Sequence, residues 1–152
     1  VTPEDRLTSL GLALPDVAKP VAAYIPAVRS GSYVFTSGQL PLREGTLLST
    51  GTVGAEVTPE QAYDAARQCA LNALAAVRAE VGDLSAVTRV VKVLGFVASA
   101  PGFTGQPQVV NGASDLLGEV FGDLGQHARS AVGVSVLPLG APVEVELIVE
   151  VG

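Results

Sequence analysis

The chain has 152 residues, 48% hydrophobic and only 16% charged, with a formal net charge of -6. Its nine Lys and Arg are scattered along an acidic chain, so no cationic patch for phosphates and no nucleic-acid partner are expected. No apolar run is long enough to cross a bilayer and no basic-then-apolar leader opens the sequence, so no membrane partner is expected and the surplus apolar surface points to burial against other subunits.

One domain over residues 1–152 is expected. Thr2 can cap a helix over residues 2–10, with Pro3 suited to its first turn and Glu4 and Asp5 at the positive end of its dipole. A proline-broken loop follows. Residues 22–28 and 32–38 read as two short strands around the turn "RSGS", and residues 41–54 as a glycine-rich hairpin or irregular segment. Residues 58–82 carry the clearest helix: Thr58 caps, Pro59 takes the first position and Gln61 completes a capping box. Ala62, Ala66, Cys69, Ala73, Val77 and Val81 recur at helical spacing, and Gly82 ends the helix.

The β-branched run at 87–99 reads as a central strand. A second, weaker helix spans 108–125, with Gly112 and Gly118 inside it, and strands follow at 129–136 and 143–151. The order β-β-α-β-α-β-β makes an α+β domain, one sheet with both helices packed on one face. In the last strand Val143, Val145, Leu147, Val149 and Val151 point toward the helices, and Glu144, Glu146, Ile148 and Glu150 point away. Arg129, Ala131, Gly133 and Ser135 share one side of the preceding strand. Placed with the glutamates, they make the second face small, polar and acidic, open either to solvent or to an oligomer interface. The residues alone suggest a simple hairpin around "LPLGAP".

Cys69 on the buried stripe reads as a small hydrophobe, and a lone cysteine suits a reducing cytoplasm. His127 reads as a loop residue. One His and one Cys far apart cannot supply a metal site, and no cofactor is expected.

Three stretches together resemble the RidA/YjgF-like family of reactive intermediate deaminases, also labelled endoribonuclease L-PSP. They are "AAYIPAVRSGSYVFTSGQLP", "VVNGASDLLGEVFG" and "ARSAVGVSVLPLGAPVEVELIVEV". The resemblance implies the chorismate-mutase-like α+β fold with one mixed sheet, a homotrimer with sites between subunits, and a last strand inserted between earlier ones. It further implies hydrolysis of 2-imino or 2-enamino acids to 2-oxo acids and ammonia.

Carried over residue by residue, Arg129 would clamp the substrate carboxylate, which its planar fork matches, and Glu144 would position or deprotonate the water. Gly38 and the Ala131 backbone would offer N–H groups, and Tyr24 and Asn111 would line the pocket. The family's enzymes usually carry proline two before the arginine, cysteine two after it and glutamate four after it. This chain has His127, Ala131 and Gly133 there, and residues 1–17 add a helical N-terminal extension. These departures suggest a divergent subgroup. A non-catalytic trimer binding small carboxylates on the same scaffold is the alternative.

Overall fold

The computed structural model describes residues 1–19 and 22–152; Pro20, in the expected loop, lies outside them. Helix α1, Pro3–Ser9, begins at Thr2, whose hydroxyl accepts from the Asp5 N–H while the Asp5 carboxylate accepts from the Thr2 N–H. Helix α2, Pro59–Val81, starts on the same reciprocal pair between Thr58 and Gln61 and ends at Gly82, whose φ of 89° suits glycine. The middle of α2 is buried well beyond the expected stripe, because its alanines let sheet and neighbouring helix close in on it. Helix α3, Gln106–Phe121, starts two residues earlier than expected and takes Pro107 into its first turn. It crosses α2 so closely that a Cβ at Gly112 would run into the Tyr63 carbonyl. The interior glycine that weakens α3 as a helix is what lets it pack.

Strands β1 (Ala27–Ser30), β2 (Tyr33–Thr36), β5 (Val87–Ala98), β6 (Ala128–Val134) and β7 (Val143–Val151) form one mixed sheet in the order β1-β2-β7-β5-β6. A separate small hairpin joins β3 (Leu42–Arg43) to β4 (Thr46–Leu47). Strand β1 begins later than expected, since Pro26 has no N–H to give to a ladder, and Tyr24 lies ahead of it in irregular chain. The hairpin suggested around "LPLGAP" does not form. β6 pairs parallel with β5, while β7 inserts antiparallel between β2 and β5. The connection crosses the end of β5, where the Ala98 N–H donates to the Pro142 carbonyl and the Ser99 N–H to the Val134 carbonyl.

The alternation of β7 is as expected, with Val143, Val145, Leu147, Val149 and Val151 buried under the helices. The side assigned to β6 is corrected. Arg129 pairs with Val93, Ala131 with Gly95 and Gly133 with Val97, all on the helix side of β5. Gly95 meets the Val110 side chain of α3, and Gly133 meets Gln106 and Ser99. The second face therefore carries not Arg129 and small residues but Val28, Phe35, Leu94, Phe96, Val132 and Ile148 beside the glutamates. Val28, Phe35 and Val132 are each more than 40% exposed, an unusual apolar surface for a single chain. Among the described residues, no helix is long and apolar enough to cross a membrane.

Candidate functional site

Two groups of side chains carry the chemistry. The first lies where the chain leaves β2. The Gln39 N–H donates to the Val145 carbonyl and the Val145 N–H to the Gln39 carbonyl, which extends the ladder and brings Gly38 beside Glu144. A cavity of about 470 Å³ opens there, with Tyr24, Ser37, Gly38, Leu40 and Glu144 in its wall. A Cβ at Gly38 would overlap the Glu144 carboxylate, so glycine is what makes room for that group. Among the described residues the Gly38 N–H has no acceptor and stays available to a ligand oxygen. Burial, and secondarily the charge of Glu146, raise the Glu144 carboxyl above the usual glutamate value. Such a group holds its proton closer to neutral pH than a solvated glutamate does.

The second group is built on β6 and α3. Arg129 Nη1 donates to Asn111 Oδ1 at 2.8 Å and to Ser114 Oγ at 3.2 Å, and Nη2 donates to the Pro107 carbonyl at 3.2 Å. Ala131 follows two residues along the same side of β6, half-buried against the core. His127 touches Ser114 through Nε2 at 2.8 Å and the Gly125 carbonyl through Nδ1 at 2.6 Å. It lies in the loop just ahead of β6, as expected, and these contacts tie it to this cluster.

Of the six expected residues, Tyr24, Gly38 and Glu144 thus come together, and Arg129, Asn111 and Ala131 come together elsewhere. Within one chain the two groups do not meet. Arg129 sits on the helix side of the sheet and Glu144 on the other, with β5 between their strands. Reading residues by themselves missed Ser114 and the Pro107 carbonyl as partners of Arg129. Their signal was the spacing of 107, 111 and 114, one face of a helix. Among the described residues, no group of three or more His, Cys, Asp or Glu is placed to hold a metal.

A family model described as "YjgF/chorismate_mutase-like, putative endoribonuclease" matches residues 4–151. The chain belongs to this family. The matched span begins at Glu4, inside α1. The chain is 48% identical over 146 residues to Protein TCP17 of Trypanosoma cruzi, covering 95% of this chain and 91% of that one. The crystal structure of the protein Atu1372 from Agrobacterium tumefaciens superposes with a TM-score of 0.93 at 47% identity, over 99% of this chain and 94% of that chain. A crystal structure from Shewanella oneidensis MR-1 gives 0.97 at 38% identity, over 99% and 100% of the two chains.

Proposed function

We propose that this member of the YjgF/chorismate-mutase-like family hydrolyses reactive 2-imino or 2-enamino acids to 2-oxo acids and ammonia, in sites built between the subunits of a homotrimer. The observation that carries this reading is the half-buried Glu144 carboxyl, raised above its usual value, in the wall of a 470 Å³ cavity. The arginine that would complement it lies on the opposite face of the same sheet, and in this reading a second chain supplies it. The exposed apolar face of Phe35, Val132 and Val28 supports such an assembly.

In the composite site the Arg129 guanidinium holds the substrate carboxylate, and the Gly38 N–H orients an oxygen of the same molecule. Glu144 accepts a proton from water as its oxygen attacks the imine carbon, then returns that proton to nitrogen. In the collapse of the tetrahedral adduct Glu144 takes the hydroxyl proton and passes it to nitrogen, so that the carbonyl forms as the C–N bond breaks and ammonia leaves. Substrate and water supply every atom, so the reaction needs no cofactor. A raised carboxyl suits both halves of this transfer, because its affinity for the proton is closer to that of the groups it exchanges with.

A non-catalytic carboxylate-binding trimer is the second reading. It is favoured by Ala131 and Gly133, and by the Gln106 amide, which takes the space beside Gly133 and is held there by Ser99 and the Phe103 carbonyl. Ribonuclease action has less support, since a net charge of -6 repels a polyanion. The test couples an amino-acid oxidase to the protein, with semicarbazide trapping the imine. Hydrolysis is expected to lower the yield of trapped imine and speed 2-oxo acid release. No acceleration with any imino acid, alongside Arg129-dependent binding of 2-oxo acids, would leave the binding reading standing.

A further inference from the structure

Pro107, Asn111 and Ser114 lie at i, i+4 and i+7 of α3, and all three accept hydrogen bonds from Arg129. A guanidinium has five N–H groups. Both hydrogens of Nη1 and one of Nη2 are taken up by α3. The Nε–H and one Nη2–H have no acceptor among the described residues, and a carboxylate binding in bidentate fashion needs two.

His127 sets the bond directions behind this arrangement. Its Nδ1 faces the Gly125 carbonyl oxygen at 2.6 Å, and a carbonyl only accepts, so Nδ1 carries the hydrogen. In the neutral ring Nε2 is then an acceptor, and the Ser114 hydroxyl at 2.8 Å donates to it. That contact commits the Ser114 hydrogen to His127 and turns its lone pairs toward Arg129. Gly125, where this series of hydrogen bonds ends, is itself locked: it is buried, and a Cβ there would run into the Leu117 carbonyl.

We propose that Ser114 and His127 are positioning residues for Arg129: the chain from Gly125 through His127 and Ser114 orients the guanidinium so that its free N–H pair faces the carboxylate of a 2-oxo or 2-imino acid. This rests on the reading of Arg129 as the carboxylate clamp. It also gives a role to a histidine that stands where the family's enzymes usually have proline.

The two amide replacements of histidine separate this role from simple support of the fold. A glutamine amide reaches the place of ring Nε2 and can still accept from Ser114. An asparagine amide reaches only the place of Nδ1 and keeps the Gly125 contact alone. The experiment titrates sodium pyruvate into ¹⁵N-labelled protein and follows the Arg129 Nε–H resonance, with each variant's melting temperature recorded. His127→Asn and Ser114→Ala are expected to weaken pyruvate binding by about five- to tenfold and to shift or broaden that resonance in the free protein, while His127→Gln stays within about twofold of wild type. Equal behaviour of the glutamine and asparagine variants, or tight binding by Ser114→Ala with the resonance unmoved, would overturn the proposal. Wild-type pyruvate affinity in Arg129→Ala would show instead that the clamp is misplaced, and the positioning proposal would fall with it.

Discussion

Gly38 and Glu144 compete for one volume: a side chain on the first would displace the carboxylate of the second. Gly38 does not need a left-handed backbone, as it is absent from the positive-φ glycines, so Gly38→Ala is conformationally open to the chain. The expected outcome is a folded protein whose Glu144 has been pushed out of the cavity wall. Turnover should fall toward that of Glu144→Gln, about 100-fold or more below wild type, with ligand binding less affected. Undiminished turnover in Gly38→Ala would remove Glu144 from the chemical step.

Because Arg129 and Glu144 lie on opposite faces of one sheet, their defects should complement between chains. Arg129→Ala is expected to cost about 2–4 kcal/mol of transition-state stabilisation, and Arg129→Lys should not restore it, since an ammonium lacks the fork. Each of Arg129→Ala and Glu144→Gln should be nearly inactive as a pure assembly. Unfolded together and refolded as mixed trimers of the proposed kind, they should recover about one intact site in four, because some interfaces then receive both native residues. If mixing restores nothing while trimers form, the two residues do not share a site across an interface.

Glu144 and Glu146 point to an acid-favoured element of stability. Burial raises both carboxyls, and Glu146 adds to the rise at Glu144. A raised carboxyl binds its proton more readily in the folded chain than in the unfolded one. Its contribution is therefore full below the unfolded value, 4.5, and is lost as pH rises through the higher folded value. Glu144→Gln should accordingly raise the melting temperature at about pH 7 and change it little near pH 3.5. Thermal melts at the two pH values check this, and a neutral-pH loss of stability in Glu144→Gln would contradict it.

Cys69 should be chemically silent. Its thiol is buried, lies 3.7 Å from the Val143 carbonyl and is pushed well above its usual value, first by burial and then by the Glu144 charge. Cys69→Ala should leave turnover unchanged and cost about 1 kcal/mol in denaturant titrations, the scale of a small cavity. Rapid labelling of the native protein by a thiol reagent would show that this helix opens more readily than its packing suggests.

The capping residues Thr2 and Thr58, the glycine stop at Gly82 and the alternation of Val143 to Val151 were legible in the residues themselves. Each depends on a few neighbouring positions: a hydroxyl three residues from an N–H, or a period of two along one strand. The path of β7 was not legible locally, because strand pairing is a long-range choice and a short connection such as "LPLGAP" fits a hairpin as well as a crossing. Only the likeness to a known family placed that strand correctly. The face of β6 was also hidden. Ala131 and Gly133 are too small to declare a side, so Arg129 could be grouped with the glutamates until the pairing of β6 with β5 put it against α3. Tertiary structure alone decided that the arginine and the glutamate stand on opposite faces of the sheet, since the side of a sheet on which a residue lies is set by register with a partner strand rather than by the residue's own chemistry.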